Sequence, residues 1–127
     1  MSNKKILVVD DEIHIVHVVA IKLKNNGFDV ITAGNGEAGF ELACRELPDM
    51  IVTDFQMPVM TGVEMIEKLR NTEETKNIPV LMLTARGFAV ENDIRERLCI
   101  SKCLSKPFSP RELLSEIEGI LSNNVTV

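Results

Sequence analysis

The 127-residue chain is short of cysteine, of long apolar runs and of positive charge, and each shortage excludes a class of protein. Its three cysteines, Cys44, Cys99 and Cys103, make neither a Cys-x-x-Cys pair nor a Cys/His quartet, so no disulfide framework or zinc site is expected and the thiols read as reduced. His14 and His17 lack a nearby third ligand. No apolar stretch approaches the roughly 18 to 20 residues of a membrane span. The start of the chain lacks the apolar core of a signal peptide, and a cytoplasmic location is expected. Fourteen Lys plus Arg against nineteen Asp plus Glu leave a net charge of -5, which argues against direct nucleic-acid binding, an affinity supplied mainly by cationic side chains on phosphates. With no repeat, low-complexity tract or linker, one domain over residues 1–127 is expected, ending in a polar tail over 122–127.

What is present is an alternation of two periods. Short apolar runs at residues 6–9, 28–33, 50–53, 80–83 and 100–105 read as strands that end in polar turn residues. Between and after them lie helical patterns over residues 12–26, 37–47, 63–70, 88–98 and 109–121. In the first helix Val16, Val19, Ala20 and Leu23 share one face, while His14, His17, Val18 and Ile21 make the opposite face more apolar than solvent requires. The second should turn Phe40, Ala43 and Leu47 inward, and Ser109-Pro110 is a capping pair for the last. No two strands are joined by a hairpin signal, so the crossovers are right-handed and the sheet is parallel with helices on both faces. The fold class is α/β: a single doubly wound five-stranded sheet of the (βα)5, flavodoxin-like type.

In a parallel sheet every strand presents its carboxyl end at the same edge. Asp10 and Asp11, Asp54, Thr84 and Lys106 each follow an apolar run, so they converge there from four strands. Packed carboxylates repel one another unless something positive stands between them. A hard divalent cation such as Mg²⁺ accepts carboxylate oxygens and keeps its other positions for water or phosphate, and Lys106 adds a fixed charge. Such a set suits phosphoryl transfer, in which catalysis is mostly positioning and neutralisation. An ionised Asp54 would attack phosphorus directly and form an acyl phosphate.

Val8-Val9-Asp10-Asp11-Glu12, Asp54-x-x-Met57-Pro58-x-Met60-x-Gly62, Thr84-Ala85 and Lys106-Pro107-Phe108 stand in the order and at the spacing of a known family. The chain resembles the receiver domains of two-component response regulators, the CheY-like domains, over nearly its whole length. The resemblance implies that Asp54 is the phosphoacceptor. It implies that Asp11 and Asp54 bind Mg²⁺ with the backbone carbonyl of Gln56, and that Asp10 holds a metal-bound water. Thr84 would be the switch hydroxyl, Lys106 would grip the phosphate, and the peptide before Pro107 would be cis. It further implies a histidine kinase or histidine phosphotransfer protein as donor, docking on the first helix through Val18 and Ile21, with output through Thr84 and the 88–121 surface. Similar proteins tune the lifetime of the phosphorylated form through the positions of Gln56 and Arg86.

One departure stands out: Cys103 occupies a position where the family usually has Tyr or Phe, so the customary readout by an aromatic is altered. The resemblance implies a signalling protein and not a conventional turnover enzyme. A dehalogenase-type phosphatase would place its nucleophile after the first strand in an Asp-x-Asp pattern, and a flavin carrier needs a phosphate loop where Asp10-Asp11-Glu12 would repel one. The remaining alternative is a receiver-fold binding module that acts without phosphorylation.

Overall fold

A strand covered on both faces has no wet side, which is why the apolar runs at residues 6–9, 50–53 and 80–83 are buried throughout, while the edge runs at 28–33 and 100–105 keep exposed residues. The five runs form β1 (Lys5–Val9), β2 (Asp29–Ala33), β3 (Met50–Asp54), β4 (Val80–Thr84) and β5 (Ile100–Ser105). Between and after them come α1 (Ile13–Lys24), α2 (Gly36–Glu46), α3 (Gly62–Arg70), α4 (Asn92–Arg97) and α5 (Pro110–Asn123). The computed structural model describes residues 3–85 and 90–123. Arg86, the predicted start of the fourth helix at Phe88 and the end of the polar tail lie outside the described residues.

All neighbouring strands run parallel in the order β2-β1-β3-β4-β5, as the doubly wound reading requires. The order reverses direction between β1 and β3, and a crevice opens at that switch point. Alternate side chains feed two apolar layers. Leu7, Val9, Ile51, Val80 and Met82 face one layer with Ala43 of α2 and Met65, Ile66 and Leu69 of α3. Ile6, Val8, Met50, Val52, Leu81 and Leu83 face the other, against Val16, Val19 and Leu23 of α1 and Leu113, Leu114 and Ile117 of α5.

Local chemistry sets the helix ends. Thr61 and Glu64 close a reciprocal capping box at the start of α3, and the Ser109 hydroxyl accepts from the Glu112 N–H at 3.0 Å at the start of α5. Leu47 does not turn inward as its spacing predicts: it is the left-handed cap of α2, with φ 47°, and half exposed. The residue before a proline is disfavoured in the helical region, so Pro48 ends the helix one residue early and Leu47 swings out. The inward face of α2 is made by Gly36, Gly39 and Ala43, with Phe40 partly buried against the same layer. At Gly39 a Cβ would come within 2.8 Å of Met65 Sδ and 2.9 Å of Val9 Cγ2, so glycine lets α2 close on both α3 and the sheet.

Arg70 fastens the end of α4 to the rest of the domain. Its guanidinium donates to the carbonyls of Leu98 at 2.7 Å, Ile78 at 2.8 Å, Lys76 at 2.9 Å and Cys99 at 3.3 Å. The fork geometry of arginine suits this set of acceptors, and Cys99 sits among them with φ 54°. The Lys106-Pro107 peptide is cis. Among the described residues no helix is long and apolar enough to cross a membrane.

Candidate phosphoryl-transfer site

Asp10 follows the last residue of β1, and Asp54 is the last of β3, so the two strands that flank the switch point each deliver a carboxylate to the crevice. Both are buried, at 1% and 8% exposure. Thr84 ends β4, next to Asp54's strand, and is 2% exposed. Lys106 follows β5, and its backbone N–H donates to the Thr84 carbonyl at 2.8 Å, which pins the lysine at the rim. β5 lies two strands from β3, about 10 Å at sheet spacing, so a long side chain is needed to reach the acids.

The Lys106 ammonium does reach them. Nζ lies 2.7 Å from Glu12 Oε1, 3.0 Å from Asp10 Oδ2 and 3.4 Å from Asp54 Oδ2. The other carboxylate oxygens are held from the backbone: Asp10 Oδ1 accepts the Glu12 N–H at 2.9 Å, and Asp54 Oδ1 accepts the Phe55 N–H at 2.8 Å. Gly62 closes the loop behind Asp54. Its N–H donates to Phe55 O at 3.0 Å, and a Cβ there would collide with the Asp54 carbonyl oxygen.

Charge is concentrated and only partly balanced. Burial pushes the Asp54 pKa above the usual carboxylate range and the charge of Asp10 adds to it, while Lys106 and the Phe55 N–H oppose both. Burial likewise raises Asp10, against the Glu12 N–H and Lys106. For Lys106, burial acts to depress the pKa, but the close carboxylates of Glu12, Asp10 and Asp54 outweigh it and hold the ammonium above its ordinary value. Glu12 is lowered by its contact with Lys106.

Asp10 Oδ2 is buried with no aligned hydrogen-bond donor, although Lys106 Nζ is close to it. A buried anionic oxygen without a directed partner is the signature of an ion or water site. Oxygens of Asp10, Glu12 and Asp54 lie within 4.8 Å of one another, a hard all-oxygen donor set near the spread of about 4.2 Å that an octahedral Mg²⁺ spans. The residues present therefore fit a divalent cation.

Of the residues singled out in the sequence, Asp10, Asp54 and Lys106 meet in direct contact, and Thr84 is buried beside them. Asp11 and Gln56 are exposed at the rim, and Asp11 is not among the clustered carboxylates. Glu12 is the third carboxylate of the cluster, turned towards it by its contact with Lys106. No periodicity marks it, because the chain bends at Asp11 and the Glu12 N–H folds back onto the Asp10 carboxylate. Cys103 is half-buried in β5, opposite Met82, and packs against the α2/α3 layer.

Known proteins resemble this chain in sequence and in fold. The profile of the response regulator receiver domain matches residues 6–118. The alkaline phosphatase synthesis transcriptional regulatory protein PhoP of Bacillus subtilis is 41% identical over 119 residues, covering 94% of this chain and 49% of its own length. The phosphate regulon transcriptional regulatory protein PhoB of Pseudomonas aeruginosa is 34% identical, covering 95% and 53%. The chain thus spans about half the length of these curated relatives. The chemotaxis response regulator CheY4 of Vibrio cholerae superposes with a TM-score of 0.87 at 33% identity, over 94% of this chain and 99% of that one.

Proposed function

Because this chain belongs to the response regulator receiver domains of two-component signalling, we propose that it accepts a phosphoryl group on Asp54 from a phosphohistidine donor. Receiver domains are signalling proteins and not conventional turnover enzymes, so the chemistry is one covalent step that changes what the surface binds. A carboxylate oxygen of Asp54 forms a bond to phosphorus as the P–N bond of the donor breaks and the imidazole leaves. The observation that carries this reading is the Lys106 ammonium, held 3.4 Å from Asp54 Oδ2 and 3.0 Å from Asp10 Oδ2 by a strand two places away.

Each residue then has a task. Lys106 balances the negative charge of the transferring group, and its elevated pKa keeps it cationic at neutral pH. Thr84, buried at the end of β4, offers a hydroxyl that would follow the new phosphoryl oxygen and carry the change towards the 88–121 surface. Asp10 and Asp54 supply buried oxygens for Mg²⁺, and Asp11 with the Gln56 carbonyl would complete the donor set from the rim. When bound, that ion neutralises the acids and the transferring oxygens together.

The donor class is a histidine kinase or histidine phosphotransfer protein, met on α1 beside the acidic edge. With a net charge of -5, direct nucleic-acid contact is not proposed for this chain. Incubation with acetyl phosphate and Mg²⁺ should add one phosphoryl group by intact mass, and Asp54→Ala should lose it. If the wild-type chain gains no such mass, a binding module that works without phosphorylation is the reading that survives.

A further inference from the structure

Glu12 differs from the other acids of the site in exposure and in what it holds. Its side chain is 47% exposed, against 0% for Asp10 and 11% for Asp54. It stands at the N-cap of α1 yet makes no side-chain cap hydrogen bond. The carboxylate turns to Lys106 instead, at 2.7 Å, the shortest of the three ion pairs that the lysine makes among the described residues. The backbone N–H of the same residue secures Asp10, so the main chain orders the buried acid whatever the side chain does.

From this geometry we infer that Glu12 is a positioning residue for phosphorylation: its carboxylate draws the Lys106 ammonium away from Asp54 and must release it before the lysine can meet an incoming phosphoryl group. The inference rests on Asp54 being the acceptor. An exposed carboxylate gives up such a contact readily, because water can solvate it at once. Until then it competes with the phosphoryl oxygens for one ammonium and adds a like charge on their approach. Glu12 is thus a brake on the uptake of phosphate, set at the mouth of the site and acting through Lys106.

The test is the initial rate of phosphorylation of the whole chain by acetyl phosphate at saturating Mg²⁺, for wild type, Glu12→Gln and Glu12→Ala. Both variants should react about three- to tenfold faster at low ionic strength, the scale of one unit charge near a partly screened site. The gain should fade at about 1 M salt, where the Debye length is about 3 Å. A merely structural role would not give that salt dependence. Circular dichroism melts confirm that each variant is folded. Wild-type rates in both folded variants overturn the inference, as does a slower reaction with a raised Mg²⁺ requirement, which would make Glu12 a ligand of the ion. If wild type itself takes up no phosphoryl group, the acceptor reading fails as well; if it does and only the Glu12 effect is missing, the inference fails alone.

Discussion

Val59 is a β-branched residue held at φ 71° in the loop between Asp54 and α3. The Met60 N–H donates to Pro58 O at 2.7 Å, which makes Val59 the centre of a three-residue turn of the strained kind. An L-residue with a Cβ pays roughly 1–2 kcal/mol in this region, and at 75% exposure its side chain recovers little of that by packing. Val59→Gly should therefore raise stability, by under about 1 kcal/mol once the greater freedom of glycine in the unfolded chain is set against the relief, since glycine has no Cβ to strain at positive φ. A urea midpoint that does not move, or moves down at unchanged slope, would show that the loop holds Val59 for a reason other than tolerance. Strain of this kind was invisible in the sequence, where Val59 is one apolar residue in a turn. Asp10, Asp54, Thr84 and Lys106 were legible because each ends an apolar run, and a parallel sheet sends every such end to one edge. Glu12 was not, because its partner lies 94 residues away and the contact depends on where the Lys106 side chain comes to rest.

Helix α1 shows at the scale of an element why one face is not enough to describe it. Val16, Val19, Ala20 and Leu23 are buried, while Val18 and Ile21 are 50% and 60% exposed on the other side. Val18 lines two adjoining grooves, one of about 530 Å³ with Ile15, Phe108 and Lys106, the other of about 650 Å³ with Ile21 and Pro110. The first opens beside the site, so a helical donor laid in it would bring a phosphohistidine towards Lys106 and Asp54. Replacing Val18 and Ile21 together by Asp should slow transfer from such a donor by about tenfold or more, the scale of two buried anchors lost at an interface. Phosphorylation by acetyl phosphate, which needs no docking surface, should be unchanged. Equal transfer rates for the variant and wild type would remove α1 from the donor's path. The existence and order of the elements were legible from period alone, and their ends came within a residue or two where capping chemistry was strong, as at Thr61 and Ser109. Two features were decided by tertiary contacts and could not be read. The fourth helix is helical only from Asn92 among the described residues, and Arg70 staples its far end through carbonyls on two separate segments.

For the molecule as a whole, the site is a place where stability is given up. Asp10 and Asp54 both have native pKa values above their ordinary ones, burial being the largest cause in each. The native state therefore holds these protons more tightly than the unfolded chain. Their favourable contribution is full below the ordinary carboxylate pKa and is lost as pH rises through the native values. Glu12 and Glu46 are shifted the opposite way, but both are solvent-facing carboxylates, so their effect is small. Asp54→Asn removes one charge of the buried pair while leaving Lys106 its contacts with Asp10 and Glu12. It should stabilise the fold by about 1 kcal/mol near neutral pH, or several degrees in melting temperature for a domain of this size, and the gain should vanish in acid. Mg²⁺ reverses the comparison, because an ion bound only by the folded state adds about 2.7 kcal/mol at a hundred times its dissociation constant. The wild type should gain this stabilisation, the asparagine variant should gain far less, and the difference should fall away in acid as the carboxylates protonate. Thermal melts across pH, with and without Mg²⁺, read all of these at once. A wild-type melting temperature indifferent to Mg²⁺ at neutral pH, or a variant less stable than wild type without it, would mean that Lys106 already neutralises the acids and that the crevice has no need of a cation.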